Sequence, residues 1–313
     1  MRRAVLLVAH GTVDSADEIP AFLANIRRGH ASPELVAEVR RRFVAVGGSP
    51  LNRTNLEVAR KLEAKLALPV RLANRLWHPY PKETLAALIA DGITDVAEVP
   101  LAQHSAHVYA EAATLAASEL GGITLRCAVN YGQSLLLTRA YARRIEQALA
   151  AITEQGGALD HRATLVVMTA HSLPVMVVRA GDAYEREFRA STEAIAREAK
   201  LGAHGSGDAR PEYTVAFQSQ GMSAGPGGKP MEWLGPDLRA ALDDARARGK
   251  TRVVMAPVGF LADHVEILYD IDIEAAEWAK ERGLTLTRTA SLNADDDLIE
   301  ALAAVATPLL SAS

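Results

Sequence analysis

The chain has 313 residues, 49% hydrophobic and 23% charged, with a formal net charge of −4: an ordinary globular composition, with no basic block of the kind that grips a polynucleotide. Its one cysteine, Cys127, excludes an internal disulfide and any thiolate cluster for zinc or iron–sulfur. No apolar run reaches the roughly 18 residues of a membrane helix, and the N-terminal "AVLLVA" falls short of the ~7–15 apolar residues of a secretory signal, so a cytoplasmic protein without a transmembrane segment is expected.

Short apolar runs alternate with longer amphipathic ones, the pattern of parallel sheets flanked by helices. Strands are predicted over 4–9, 69–76, 94–100 and 123–127, interleaved with helices over 33–45, 54–66, 81–91, 108–119 and 134–151. Ser32 is placed to cap the first helix ahead of Pro33; Pro81 opens the third and Gly92 closes it. The stretch "ITEQGGALDHRA" (152–163) reads as a linker. Strands then follow over 163–169, 212–218 and 251–257, with helices over 183–199, 235–248, 264–281 and 296–310. Residues 202–212 and 221–230 are polar, glycine-rich loops.

The chain reads as doubled, with chance similarity between buried strands as the plain alternative. "LLVAHGT" at 6–12 echoes "VVMTAHS" at 166–172, and "VPLAQHSAHV" at 99–108 echoes "APVGFLADHV" at 256–265, each about 160 residues apart. The expected fold is α/β, with two similar halves over 1–155 and 156–295 and the last helix, 296–313, returning to the first. A cleft between such halves would be lined by strand C-termini, where His10, His104, His171 and His264 fall.

Two segments carry candidate chemistry. In "TLVVMTAHSLP" a buried strand runs into His171, either a ligand-facing imidazole or a core histidine satisfied by backbone. In "APVGFLADHVEILYDIDIEAAEW", Pro257 and Gly259 break a strand and Asp263 is placed to cap a helix. Glu266, Asp270 and Glu274 then follow at four-residue spacing, on one α-helical face. A solvated acidic surface is the plain alternative, and Glu277 with Lys280 suits it. The row starts at the ligand edge of the sheet, however, where acids can pass protons or hydrated cations inward. Glu266, nearest the junction, is expected to lie deepest, with its pKa raised by burial. An imidazole and a carboxylate from opposite halves would hold a divalent metal loosely, as an enzyme that hands a metal on requires.

These motifs resemble the ferrochelatases, which insert Fe²⁺ into a porphyrin in haem synthesis. The resemblance is carried by "AHSLP" at 170–174, "PVGFLADHVEILYDIDIE" at 257–274 and "FQSQG…WLGPDL" at 217–238. It extends to "IRRG" at 26–29, "GGSPLN" at 47–52 and "LWHPY" at 76–80, and so spans nearly the whole chain. It implies two Rossmann-like (chelatase) halves with the porphyrin in the cleft between them. His171 and Glu266 are the implied catalytic residues, looking at each other across a slot wide enough for a planar tetrapyrrole. They are also implied metal ligands, together with Asp270 and Glu274. His171, neutral near pH 7, would accept a pyrrole proton or bind Fe²⁺.

Substrate contacts are implied at Arg27, Arg28, Arg42, Phe43, Ser49 and Tyr109, and at His10, which stands where many relatives have Tyr or Met and is either an axial ligand to the metal or packed on the porphyrin face. The resemblance implies porphyrin and Fe²⁺ as substrates, no tightly bound cofactor, no iron–sulfur cluster and no nucleic-acid partner; a monomer is the default. The extra propionates of coproporphyrin III favour it over protoporphyrin IX. Two further readings are a cobalt or nickel sirohydrochlorin chelatase and a non-catalytic porphyrin or haem carrier. The first lacks a reason for "PVGFLADHVEILYD"; the second has no use for a row of acids.

Overall fold

The first predicted strand forms as β1 (Arg3–Ala9), buried from Ala4 onward on both faces, as an interior strand of a parallel sheet must be. The computed structural model describes residues 2–27, 29, 31–154, 160–206, 210–220 and 231–311. Arg28, the loop at 221–230 and the last two residues, 312–313, lie outside them. The chain divides into two compact units. One comprises Met1–Tyr131, Leu261–Val265 and Leu292–Ser313; the other comprises Gly132–Phe260 and Glu266–Ser291.

In the first unit β1 pairs in parallel with β2 (Val70–Asn74), through Val5 and Val70, and with β3 (Asp95–Pro100), through Arg3 and Asp95. β3 pairs with the edge strand β4 (Thr124–Cys127), giving the order β2-β1-β3-β4. Five helices surround it: α1 (Ile19–Ile26), α2 (Pro33–Ala45), α3 (Leu51–Leu66), α4 (Pro81–Ala90) and α5 (Ala106–Leu120). Leu6, Val8 and Val96 pack with Leu85 and Leu88 of α4 and Ala113 and Ala116 of α5. α1 and α2 share a smaller core of Val13, Ile19, Leu23 and Phe43. Ser32 caps α2, its side chain accepting from Leu35 N at 3.3 Å, as the sequence predicts.

The second unit repeats the topology. After α6 (Leu135–Glu154), β5 (Thr164–His171) pairs with β6 (Glu212–Gln218) and β7 (Arg252–Ala256), and β7 with β8 (Thr285–Arg288), in the order β6-β5-β7-β8. The doubling legible in the sequence is thus a doubling of strand order, all parallel. Around this sheet lie α7 (Val175–Arg179), α8 (Tyr184–Glu198), α9 (Leu238–Ala247), α10 (Val265–Tyr269) and α11 (Ala276–Glu281). The closing helix α12 (Asp296–Ser311) packs on α3 and β3, returning to the first unit as expected.

The structure departs from the sequence reading at four places. The units divide at Tyr131/Gly132 rather than near 155, because α6 packs on α8 and β7. The edge strand β8 and the helices α1 and α7 are additional. Third, β5 runs on to His171. Finally, the predicted helix 264–281 is not one α-helix: between α10 and α11, Asp270–Ala275 is π-helical.

Candidate active site

β5 is buried through Ala170, and His171, its last residue, is the first to emerge. Its backbone is pinned on two sides. Tyr184 Oη donates to His171 O at 2.9 Å, and the next amide, Ser172 N, donates to Gln218 O at 2.7 Å. Ser172 is itself buried, its hydroxyl donating to Leu234 O at 2.9 Å. The turn after β7 crosses the same strand end: Gly259 N donates to Thr169 O at 2.9 Å. A Cβ on Gly259 would stand 2.4 Å from Ala170 Cβ, so only glycine permits this crossing.

The imidazole Nδ1 meets Ser172 O at 2.5 Å, and Nε2 lies 3.5 Å from Glu266 Oε2. A carbonyl and an ionised carboxylate only accept, so both ring nitrogens carry protons. Burial pulls the His171 pKa down. The Glu266 charge and hydrogen bond, the Ser172 carbonyl and the Asp270 charge together outweigh it, and the pKa is pushed up to about 9. An unperturbed imidazole is neutral near pH 7; this one is perturbed, and His171 is an imidazolium paired with Glu266. The expected slot is corrected. Both side chains belong to the second unit and meet directly, with no room for a macrocycle between them; their shared exposed side, 36% and 44% open, is what a substrate can reach.

The acidic row is also rearranged. Asp270, not Glu266, is the buried member, 5% exposed, and accepts a hydrogen bond from Ser219 Oγ. The expected depth order fails because the helix widens at Asp270. A π-segment bonds i to i+5, so residues four apart no longer stack as they do on an α-helix. Ser219 holds a left-handed φ of +60°, unusual for a non-glycine residue, and this sets its hydroxyl toward Asp270. Gln218, in register with His171, accepts from Thr169 Oγ1 at 2.9 Å and donates to Glu266 O at 3.4 Å.

Among the described residues no three His, Cys, Asp or Glu side chains converge on a metal position. His171, Glu266, Asp270 and Glu274 thus do not form one coordination shell; the exposed His171–Glu266 pair is what they offer.

In the first unit, His10 follows β1 directly and is exposed, and Gly11 after it has φ +88°, with no room for a Cβ against Asn74. Arg27 ends α1, half-buried and without an ion pair to a described residue. Arg42 is neutralised on its own helix: its Nε lies 2.7 Å from Glu38 Oε1, and Arg41 and Arg42 hold the Glu38 carboxyl down at about 2. Ser49 is half-buried between α2 and α3. Two of the expected substrate contacts are buried: Phe43 is 7% exposed and packs between α1 and α2, and Tyr109, on the core face of α5, is 8% exposed, where burial pushes its phenol up to about 12.

The residues that the sequence reading did not single out are Tyr184, Gln218 and Ser219. For Gln218 and Ser219 the visible signal was "FQSQ" at the end of β6, since a polar run at a strand C-terminus falls on the ligand edge; Tyr184 had no such signal.

A family model described as Ferrochelatase matches residues 2–309. The ferrochelatase of Acidobacterium capsulatum is 37% identical, over 97% of this chain and 94% of its own length. The coproporphyrin III ferrochelatase of Geobacillus kaustophilus is 32% identical, over 96% of this chain and 94% of its own. Among solved structures, SirB from Bacillus subtilis with Fe³⁺ superposes with a TM-score of 0.61 at 14% identity, covering 99% of this chain and 96% of its own, a likeness of fold.

Proposed function

The chain belongs to the ferrochelatase family, enzymes that insert Fe²⁺ into a porphyrin in haem synthesis, and we propose that His171 and Glu266 carry the proton transfers in this member. Insertion releases two pyrrole N–H protons. The observation that carries the assignment is the His171–Glu266 pair at 3.5 Å, open to solvent at the C-terminal edge of its sheet. Near pH 7 Glu266 is the base of the pair. When it takes the first pyrrole proton, His171 loses its counter-charge, and burial drives the imidazolium to shed its own proton to solvent. The neutral imidazole then accepts the second pyrrole proton. Asp270 and Glu274, next along the same helix, provide the onward path for protons.

Fe²⁺ enters as a substrate. One carboxylate and one imidazole, with the remaining positions held by water, bind it weakly enough to release it to the macrocycle. The scheme needs no resident cofactor. Contacts remote from the metal supply the few kcal/mol that bend a pyrrole out of plane.

The porphyrin we assign is coproporphyrin III. The named activity of relatives such as the Geobacillus kaustophilus protein supports it, as does Arg27, whose guanidinium makes no ion pair with a described residue and suits a propionate in bidentate geometry. Soret-band assays with Zn²⁺ in place of Fe²⁺ test both parts. His171→Ala is expected to abolish insertion while porphyrin binding persists, and retained turnover removes it from the reaction. A higher kcat/KM on coproporphyrin III than on protoporphyrin IX is expected; the reverse order overturns the substrate assignment.

A further inference from the structure

Among the described residues the first unit buries two acids in β3 that the porphyrin reaction does not use: Asp95 is paired with Arg3 and Arg126, and Glu98 faces no cation. Glu98, in β3, is 0% exposed, and its carboxyl oxygens meet no nitrogen or hydroxyl donor among the described residues; the Cys127 thiol is the polar group within its reach. Such a group is costly unless something compensates it. The polar side chain it faces is the chain's one cysteine. Glu98 and Cys127 are register partners across β3 and β4, neighbouring strands about 4.8 Å apart. Alternation puts Glu98 on the face of Val96 and Cys127 on the face of Leu125, the face that α5 covers. From α5, Thr114 Oγ1 reaches to 3.8 Å from Cys127 Sγ.

We propose that Glu98 and Cys127, with the Thr114 hydroxyl as a third donor, form a binding site for a borderline-soft divalent cation of the zinc class. The charges close: one thiolate and one carboxylate neutralise one M²⁺, giving a complex with no net charge, the form an apolar pocket tolerates. The donor set selects the metal. Sulfur favours Zn²⁺ or Cd²⁺ over Mg²⁺ and Ca²⁺, which take oxygen. Access exists, because β4 is the edge strand, Cys127 is half-buried and Thr114 is exposed. With no metal bound, burial pushes the Glu98 carboxyl up to about 8, and burial with the nearby Glu98 pushes the Cys127 thiol up to about 11. The metal-free pair thus rests as a neutral acid beside a neutral thiol. The site lies in the other unit from His171 and Glu266, and it does not rest on the reading given for them.

Because Cys127 is the only thiol, the ultraviolet thiolate-to-metal charge-transfer band of Cd²⁺ reports this site alone. Titrating the full, metal-free chain with Cd²⁺ is expected to give a band saturating at one Cd²⁺ per chain, which Zn²⁺ abolishes and excess Mg²⁺ leaves intact. Cys127→Ser removes the band. Glu98→Gln weakens Cd²⁺ binding at least about tenfold, the scale on which a lost supporting group lowers metal affinity. Glu98→Met, which replaces the acid by an apolar side chain of similar length, does the same in a variant that cannot fail for want of a polar partner. No band in the wild type, displacement by Mg²⁺, or equal Cd²⁺ affinity in wild type and either Glu98 variant overturns the proposal.

Discussion

His171 Nε2 and Glu266 Oε2 face each other at 3.5 Å, and the imidazole is held from behind by Ser172 O. Glu266→Gln removes the charge that keeps the ring protonated. The His171 pKa should then fall from about 9 toward the ordinary histidine value of about 6.5. Proton NMR titration of the imidazole measures it, and an unchanged pKa breaks the pairing. Metal insertion should fall by about 10²–10⁴-fold, the usual worth of a positioned base.

The same pair sets a pH window for stability. The folded pKa of His171 lies above its unfolded value. Its contribution is therefore fully present below about pH 6.5 and is lost as pH rises through about 9. Wild type should exceed Glu266→Gln in melting temperature near pH 6.5, and the gap should close by pH 9. Both side chains are more than a third exposed, so the gap is small; a gap that widens with pH contradicts the assignment.

Glu98 gives a dependence in the same direction from a different cause. Burial raises its folded pKa to about 8 against 4.5 when unfolded. The chain keeps this contribution below about pH 4.5 and loses it as pH rises through 8, because unfolding releases the acid to ionise in water. In metal-free protein, Glu98→Met should therefore be more stable than wild type at pH 8.5 by a few kcal/mol, about 1.4 per pKa unit, and the difference should shrink toward pH 5. Denaturant midpoints at the two pH values decide it. A Glu98→Met variant less stable than wild type at pH 8.5 would show that the acid is compensated.

How much of this was legible beforehand follows from the range of each interaction. Strand alternation and capping are local, so β1, β5 and the Ser32 cap could be read directly, and the matched segments around His10 and His171 exposed the repeated strand order. Helix α1 has local signals too: Ser15 and Glu18 form a capping box on the 3-10 turn Ala16–Glu18 that leads into it, and Pro20 stands in its first turn. The π-segment was not readable, since Glu266, Asp270 and Glu274 keep α-helical spacing in sequence. Only the packing of Ile267, Ile271 and Ala275 into the second core shows how the backbone widens to seat them. Phe43 and Tyr109 likewise look like surface contacts until the helices that bury them are in place.

Ser219→Ala tests the buried acid. Asp270 is 5% exposed and loses one donor in the variant. Removing a hydrogen bond to a buried charged group costs about 1–3 kcal/mol, so the melting temperature should drop. Asp270 passes protons onward and is not the base that takes them from the pyrrole, so insertion should slow less than in Glu266→Gln, with KM for porphyrin unmoved. A loss of kcat as large as that of Glu266→Gln would place Asp270 in the proton transfers themselves.

A methyl on Gly259 would lie 2.4 Å from Ala170 Cβ and 2.6 Å from Ala170 Cα, contacts no real Cβ makes. Neither neighbour is the end of a flexible side chain, so strain cannot be relieved by a rotamer change. Gly259→Ala must push the turn after β7 away from the end of β5, breaking the 2.9 Å bond from Gly259 N to Thr169 O. Overpacking of this kind costs about 1–3 kcal/mol. The displaced turn precedes α10, which carries Glu266, and the strand it leaves ends in His171, so their 3.5 Å approach should be lost. The imidazole titration separates this from general destabilisation. In a folded Gly259→Ala protein the His171 pKa should fall toward the ordinary value; one that stays near 9 would mean that the crossing does not set the pair.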